Sequence, residues 1–312
     1  MGGGRQILGF GALSVDHILY VDRPFAAGKG KVINKITDFG GNVGTALVAV
    51  ARLGGNAGFI GWLTADEQAD PSGAELARHG VAIGDAPRRA DARAVHSTII
   101  VAPDAERFIA FDDNVPHGTD GALADAVLAA AGVLLIDSYA THSVGVVLRA
   151  RKLGVAVVAD IEWSSGEETD ALLAAADHLV LPLAFGQSVT GRTQPEEVLA
   201  ALWSDTRAAV VLTDGARGAW LRQRADPALW HIPAHPVAAV DTTGAGDCFH
   251  GAYALALAEG KAPLQAAQYA GTAAAIAVTG RGGRAALPDN ATCVAWMTRG
   301  TAPQPSMLQV KV

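Results

Sequence analysis

The amino-acid sequence predicts an α/β fold in which helices flank a central, mostly parallel sheet and a small β lid projects from it. Two observations lead to this fold. Short apolar runs alternate with segments whose apolar residues recur at helical spacing, and two further segments carry alternating residues instead. Continuous apolar strands separated by helices are typical of a parallel sheet covered on both faces. Half of the 312 residues are hydrophobic, which is enough for a large core.

The predicted elements follow one another along the chain. We predict strands over residues 6–10, 57–62, 132–137, 155–160, 178–181 and 208–213. Helices are predicted over residues 43–53, 71–79, 142–153, 196–203, 248–259 and 269–278. Residues 16–39 and 96–112 break this rhythm and contain turn-forming residues, so we expect them to form the lid. The sequence has no internal repeat and no clear linker, and we interpret residues 1–312 as one domain.

The composition favours small-molecule chemistry. The formal net charge of −7 disfavours binding to nucleic acids or to acidic membranes. The two cysteines, Cys248 and Cys293, have no CxxC partner, as is usual in a reducing compartment. The N-terminus lacks the features of a signal peptide, and no uninterrupted apolar run reaches the roughly 18 residues of a membrane span. We therefore expect a cytoplasmic protein without nucleic-acid or membrane partners.

The segment Asp241-Thr-Thr-Gly-Ala-Gly-Asp247 joins a glycine turn and a carboxylate to an apolar helix. Gly244, Ala245 and Gly246 are predicted to lie at the helix N-terminus, where free backbone N–H groups bind phosphate oxygens. Asp247 is near enough to accept a proton from an attacking hydroxyl group. Such turns are also common as purely structural features, and the turn alone favours that interpretation. The chemistry that the whole segment suggests is phosphoryl transfer.

The complete segment resembles the C-terminal signature of the PfkB family of ribokinase-like carbohydrate kinases. Residues 39–45, FGGNVGT, precede a helix that ends in ARLGG, and together they resemble the N-terminal signature of the same family. The resemblance covers about residues 7–289 and implies the ribokinase-like fold. It also implies that ATP and Mg²⁺ are the cofactors and that a sugar hydroxyl receives the γ-phosphoryl group. Asp247 is then the general base, and the amides of residues 244–246 stabilise negative charge.

The resemblance also implies binding residues. Those for the sugar are Asp16, Gly41, Asn42 and Thr45, with Lys29 and Arg107 in the lid. Those for the nucleotide phosphates are Thr213, Gly215 and Gly218 of a TDGARG turn, together with Thr243, Gly244 and Gly246. In that turn, Arg217 would add positive charge if it faced inward. Cys248 is predicted to be a packed residue, and His96 and His250 have no metal-ligand spacing, so we give them no role.

The metal site departs from the family pattern. Many relatives carry an Asn-x-x-Glu pattern that organises Mg²⁺ through water, but the corresponding region here reads HLVLPLAFGQSVTG. The ligands are therefore left open among Gln187, Asp160, Glu162 and the phosphates alone. The resemblance implies that the edge of the nucleotide, or a monovalent cation such as K⁺, lies near the loop 279–285. The two arginines of this loop are expected to be solvated.

The acceptor and the oligomer are less constrained. Thr45 replaces the asparagine usual in ribokinases, which disfavours ribose. The FHG and GGRAALPD segments resemble sulfofructose-kinase and ketohexokinase-like members, although residues 137–141 offer no arginine for a sulfonate. The alternatives are a nucleoside kinase of the same fold, a non-catalytic sugar or nucleotide sensor, and a dinucleotide-dependent oxidoreductase. The last is disfavoured because Ser14 stands where its fingerprint requires a third glycine. Exposed strand edges of the lid could pair two copies into a homodimer.

Overall fold

The computed structural model describes residues 6–24, 28–66, 68, 70–103, 107–299 and 302–308. Its strands are β1 (Gln6–Phe10), β2 (Ser14–Val21), β3 (Val32–Gly40), β4 (Ala57–Phe59), β5 (Leu63–Thr64), β6 (Arg88–Arg89), β7 (Val95–Val101), β8 (Arg107–Asp112), β9 (Ala131–Asp137), β10 (Ala156–Asp160), β11 (His178–Pro182), β12 (Ala209–Thr213), β13 (Ala219–Gln223), β14 (Asp226–Ile232) and β15 (Ser306–Met307). Its helices are α1 (Asn42–Arg52), α2 (Ser72–Arg78), α3 (Asp125–Ala130), α4 (Val144–Lys152), α5 (Glu167–Ala175), α6 (Leu183–Thr190), α7 (Pro195–Leu202), α8 (Ala245–Ala258), α9 (Pro263–Ala277) and α10 (Asn290–Met297).

A nine-stranded sheet forms the centre of the fold, in the order β15-β14-β13-β12-β11-β10-β9-β1-β4. The strands from β4 to β12 pair in parallel, whereas β13, β14 and β15 add an antiparallel edge. The predicted α/β fold with a mostly parallel sheet is therefore confirmed. None of the helices in the described ranges has the length and hydrophobicity needed to cross a membrane.

The central sheet separates two apolar cores. Val133 and Leu135 of β9 belong to the core that contains α1, α8 and α9. Their neighbours Leu134 and Ile136 belong to the core that contains α4, α5 and α7. A strand between two apolar layers has no solvent face, which explains why these strands are continuously apolar in sequence.

Helices α1 and α8 approach each other closely within the first of these cores. A side chain at Gly251 of α8 would overlap with the backbone carbonyl of Ala46 in α1. Glycine at this position therefore permits the contact between the two helices. Ala46 lies in the second turn of α1 and Gly251 lies midway along α8, so this contact fixes the two helices against each other within the core.

The two segments predicted to form the lid make a separate four-stranded sheet in the order β3-β2-β7-β8. Strands β2 and β7 pair in parallel, and the outer pairs are antiparallel. Register aligns one isoleucine from each strand in a single row: Ile36, Ile18, Ile99 and Ile109. The predicted turn around residues 104–106 lies outside the described residues.

Some predicted boundaries differ from the observed ones. The strand predicted over residues 57–62 is shorter, since β4 ends at Phe59. Helix α8 begins at Ala245 and α9 at Pro263, earlier than predicted. Proline suits the first turn of a helix because the missing N–H group would have no partner there.

Candidate active site

The carboxyl ends of adjacent strands meet the first turns of α1 and α8 at one edge of the central sheet. Asp137 and Asp160 are the last residues of β9 and β10 and are paired in register. Asn42, the first residue of α1, donates from Nδ2 to Oδ2 of Asp160 over 3.2 Å. Asp247 of α8 lies close enough for Asp160 and Asp137 to influence its ionisation. Ligands of open α/β sheets bind in crevices at this edge.

The predicted anion-binding turn lies at the N-terminus of α8. Gly244 precedes the helix with a left-handed φ of 72°, and a side chain there would crowd the carbonyl oxygen of Gly283. The N–H group of Ala245 donates to the carbonyl of Thr242 over 3.3 Å, so this amide is used within the turn. No described side chain caps α8, and the N–H groups of Gly246 and the next residue precede any helical acceptor. Those amides can therefore receive an anion.

Asp241 fixes the start of this turn. Its carboxylate accepts the N–H of Thr243 over 2.9 Å and the N–H of Gly282 over 3.0 Å. The second bond ties the glycine-rich loop 279–285 to the anion-binding turn. The monovalent-cation dependence that the resemblance implies for this loop stays a prediction.

The carboxyl group of Asp247 lies in a strongly negative environment. It is partly exposed to the crevice, yet removal from bulk water raises its pKa well above the ordinary value. The neighbouring carboxylates of Asp160, Glu162 and Asp137 raise this pKa further, whereas Arg284 acts in the opposite direction. A carboxylate with a raised pKa is a stronger base once it is ionised.

Asp137 and Asp160 are both buried at the base of the crevice. Asp137 accepts the N–H groups of Ala12 over 2.6 Å and of Tyr139 over 3.0 Å, and burial raises its pKa to about 7. Burial also raises the pKa of Asp160 to about 6, although His250 opposes this shift. Neither residue belongs to the two signature motifs, so no role was predicted for Asp137, and Asp160 was predicted only as a candidate metal ligand.

The predicted sugar-binding aspartate, Asp16, lies in β2 at the base of the lid. Its carboxylate accepts hydrogen bonds from the hydroxyl groups of Ser14, over 3.2 Å, and Ser97 of the adjacent strand β7. A side chain at Gly40 would lie 2.7 Å from the Asp16 carboxylate, so glycine keeps this face open. Strands β2, β3 and β7 of the lid sheet therefore position Asp16 beside the GGNVGT turn.

Arg284 lies beneath the GGNVGT turn, and the expectation that it is solvated was wrong. Its side chain is buried and donates to the carbonyl of Gly40 over 2.7 Å and to Oγ1 of Thr45 over 3.3 Å. Thr45 is also buried, and its contact with Arg284 supports the turn. Gly41 precedes α1 with a left-handed φ of 86°. Burial lowers the pKa of Arg284, but the carboxylates around it, including Asp247, favour the charged form. Arg281, by contrast, is exposed.

The TDGARG turn connects β12 and β13. Gly215 and Gly218 both have left-handed φ values, and a side chain at Gly218 would overlap with the carbonyl of Ile232. Thr213 ends β12 at the same edge of the sheet as the carboxylates. Arg217 faces outward and forms an ion pair with Asp214 over 2.5 Å, so the inward orientation considered for it was wrong.

Two predicted sugar residues lie far from the others. Lys29 is exposed beyond the end of β2. Arg107 pairs with Val101 at the outer end of β7, four residues from Ser97, or about 13 Å along an extended strand. The structure therefore brings Asp16, Gly41, Asn42 and Asp247 together and leaves Lys29 and Arg107 at the tip of the lid.

The side chains at this edge fit Mg²⁺ only in part. No cluster of three or more metal-ligating side chains occurs in the described ranges. Gln187 donates its amide to the carbonyl of Thr193 over 2.7 Å, and the Asp160 carboxylate faces Asn42 and His250. Glu162 remains exposed near Asp247. Carboxylate and phosphate oxygens are suitable magnesium ligands, so Glu162 and bound phosphates are the compatible donors.

Comparison with known proteins gives a consistent family. The profile described as pfkB family carbohydrate kinase matches residues 5–290. The bifunctional protein HldE of Azotobacter vinelandii is 30% identical over 259 residues, which cover 79% of this chain and 53% of HldE. The ribokinase of Haemophilus influenzae is 26% identical over 295 residues, which cover 89% of this chain and 94% of the ribokinase. The chain thus spans about half the length of HldE.

A solved structure of a ribokinase-type protein from Agrobacterium tumefaciens has the same fold. The two structures superpose with a TM-score of 0.86 at 29% sequence identity. The superposition covers 95% of this chain and 98% of the Agrobacterium tumefaciens chain. The ribokinase-like fold that the sequence motifs implied is therefore confirmed.

We predict that replacing Arg284 destabilises the protein. Arg284→Met leaves the Gly40 carbonyl and several carboxylates without their buried cation, and should lower the free energy of unfolding by about 3 kcal/mol. Arg281→Met at the exposed neighbour is the matched control and should change it by less than about 0.5 kcal/mol. Urea unfolding measures both values. Equal stability of the two variants would contradict a supporting role for Arg284.

Proposed function

Because the chain belongs to the pfkB family of carbohydrate kinases, we propose that it transfers the γ-phosphoryl group of ATP to a hydroxyl group of a carbohydrate. The observation that carries this proposal is the arrangement at the start of α8. Asp247 stands in the first turn of a helix whose N-terminus has no described side-chain cap. Asn42 of the GGNVGT turn donates a hydrogen bond to Asp160, and the negative charge of Asp160 raises the pKa of Asp247.

The roles of the residues follow from their chemistry. Asp16 accepts hydrogen bonds from sugar hydroxyl groups, and Asn42 orients the acceptor from the other side. Asp247 accepts the proton as the sugar oxygen bonds to phosphorus and the bond to the leaving ADP oxygen breaks. The amides of Gly246 and Asp247 stabilise negative charge on the phosphates. When bound, ATP supplies the phosphoryl group and Mg²⁺, held by phosphates and Glu162, offsets their charge.

A cleft beside the TDGARG turn suits the base of the nucleotide. Its walls come from the loop after β14, from α9 and from the end of α10, and they include Ile232, Pro233, Gly271 and Met297. Ile232 also contacts the turn at Gly218, so the cleft adjoins the predicted phosphate-binding residues. His235, Gln268, Thr272 and Gln304 also line the cleft, so it offers a flat heterocycle both apolar contacts and hydrogen-bonding groups. We assign it to adenine.

The charge of the acceptor site favours a neutral acceptor. Asp38 lies directly opposite Asp16 in the lid sheet, and Asp137 and Asp160 are paired at the ends of β9 and β10. A sulfonate or phosphate on the acceptor would meet these carboxylates with like-charge repulsion. A neutral sugar is therefore the preferred acceptor over a sulfosugar.

A cluster of aromatic side chains favours nucleosides as the second candidate. Tyr139 follows β9, stacks on His117 at a centroid distance of 3.9 Å and meets Trp163 edge-on at 5.3 Å. Burial lowers the pKa of His117, so its ring is neutral near pH 7 and suited to stacking. Trp163 is exposed and lies three residues after Asp160. Aromatic faces bind both nucleobases and the apolar faces of sugars.

We also propose that a second copy of the chain packs on the lid, and that the protein works in the cytoplasm. Ile36 and Ile109 of the isoleucine row are 40% and 50% exposed, on the two edge strands. Exposed apolar side chains beside unpaired strand edges are typical of association surfaces. Both cysteines are buried and free, in keeping with a reducing compartment.

Replacing the proposed base separates binding from chemistry. Asp247→Asn should bind ATP with unchanged affinity but lower the turnover number by about 10²–10⁴-fold, because the amide cannot accept the proton. A coupled assay of ADP release measures turnover, and calorimetry measures ATP binding. Asp289→Asn, at the cap of the remote helix α10, is the control and should retain full activity. Near-normal turnover of Asp247→Asn would exclude it as the base.

A panel of acceptors separates the two candidate functions. We expect neutral pentoses or ketohexoses to release ADP with Mg-ATP, and sulfosugars to react at least about tenfold more slowly. Trp163→Leu should raise the KM for the acceptor. Trp203 stacks with Arg222 elsewhere, so the control variant Trp203→Leu should leave this KM unchanged. Turnover of nucleosides alone favours the second candidate, and a sulfosugar as best acceptor would contradict a neutral acceptor site.

The dimer proposal predicts the effect of charge on the isoleucine row. Ile36→Lys combined with Ile109→Lys should convert a dimer into a monomer, because two ammonium groups would enter the interface on each copy. Phe108→Lys is the matched control, since Phe108 is also exposed but points to the opposite face of β8. Sedimentation equilibrium measures the mass. A monomeric wild-type protein would refute the proposal.

A further inference from the structure

His250 occupies a buried position between the anion-binding turn and the central sheet. It lies in α8 one turn after Gly246, and its side chain is 2% exposed. Its Nδ1 atom is 2.7 Å from the carbonyl oxygen of Gly246. Its Nε2 atom is 2.8 Å from the carbonyl oxygen of Val180 in β11. Both ring nitrogens therefore face groups that can only accept hydrogen bonds.

A neutral imidazole cannot satisfy this geometry. It has one N–H donor and one lone pair, so one of its nitrogens would point a lone pair at a carbonyl oxygen less than about 3 Å away. A doubly protonated ring donates to both carbonyl oxygens. An imidazolium in the protein interior needs a counter-charge, because an unpaired buried charge is strongly unfavourable.

Asp160 provides that counter-charge. Its Oδ1 atom lies 3.4 Å from Nε2 of His250 and has no hydrogen-bond partner among the described residues. Its Oδ2 atom accepts the Asn42 amide. The side chain of Asp160 is as deeply buried as that of His250. A protonated His250 would therefore form an ion pair with Asp160 that is shielded from solvent.

We propose that His250 is a positioning residue, held as an imidazolium, that connects the anion-binding turn to the sugar-binding turn through Asp160. The connection runs from the Gly246 carbonyl through His250 and Asp160 to the side chain of Asn42. The positive charge of the His250 imidazolium also offsets part of the negative charge of Asp160, Glu162 and Asp247 around the acceptor. The effect on catalysis rests on the proposed kinase function, whereas the protonation state of His250 does not.

A second buried histidine provides an internal control. His178 lies in β11, two residues before Val180, and its Nδ1 atom is 3.0 Å from the hydroxyl group of Tyr253 in α8. It thus joins the same two elements as His250. A hydroxyl group can both donate and accept, so this contact does not require a charged ring. Burial lowers the pKa of His178 to about 4, and the ring is neutral at pH 7.

The ring nitrogens of the two histidines can be compared in the unmodified protein. We expect long-range ¹H–¹⁵N spectra of ¹⁵N-histidine-labelled protein at pH 7 to show two protonated nitrogens for His250, because both ring nitrogens face carbonyl oxygens. His178 should show one protonated and one bare nitrogen in the same samples. Signals are assigned with His250→Gln and His178→Gln. A bare nitrogen on His250 at pH 7 would overturn the proposal, whether or not any acceptor is turned over.

Kinetics test the positioning role. His250→Gln should lower the turnover number by about 10²-fold and raise the KM for the acceptor, because a shift of about 1 Å in the reacting groups has this effect. Asp160→Asn should likewise raise the KM for the acceptor. His178→Gln should leave the turnover number and this KM within about twofold of the wild-type values. Equal effects of the two histidine variants would reduce His250 to a packing residue. If the wild-type protein were inactive with every acceptor, the kinase function would be refuted. The NMR spectra would then still test whether His250 and Asp160 form an ion pair.

Discussion

The crowding of carboxylates at one edge of the central sheet is the constraint on which the rest of the site depends. Asp137 and Asp160 end adjacent strands, and Asp247 begins α8 beside them. Three carboxylates so close together would repel one another in the interior of a protein. The fold offsets this repulsion with two buried cationic side chains, Arg284 from the C-terminal loop and, as we propose, His250 from α8. Burial and the neighbouring carboxylates raise the pKa of Asp247, whereas Arg284 acts in the opposite direction.

Backbone geometry brings these groups together. Glycine at position 251 lets α8 pack against α1 at Ala46. Helix α1 begins at the proposed sugar-binding turn, and α8 begins at the proposed anion-binding turn. Gly244 has a left-handed conformation and lies against the loop that contains Arg284. The amides of Gly246 and Asp247 in the first turn of α8 precede any helical acceptor. Acceptor and phosphate are thus expected to meet between two helix N-termini, where backbone dipoles favour negative charge.

Local patterns predicted most of the fold and the two signature turns. The apolar parallel strands, six of the described helices and the lid segments follow from periodicity, whereas α3, α5, α6 and α10 were not predicted. The turns follow from their glycines, several of which have left-handed φ values. The roles of Arg284 and His250 could not be predicted in this way. Their burial depends on contacts with Gly40 and Val180, which are distant in sequence, and a loop arginine or a helical histidine is usually solvated or merely packed. Arg217 shows the converse, because a local ion pair with Asp214 turns it away from the site.

The pH dependence of kcat/KM tests most directly whether the carboxylate cluster sets the chemistry. This ratio reports ionisations of the free protein. Because burial and the neighbouring carboxylates raise the pKa of Asp247, the base should be protonated, and activity lost, as pH falls through a value well above about 4, the pKa of an ordinary aspartate. The acid limb of the profile should therefore lie well above about pH 4. An acid limb at about pH 4, with full activity from about pH 5 upward, would contradict the account.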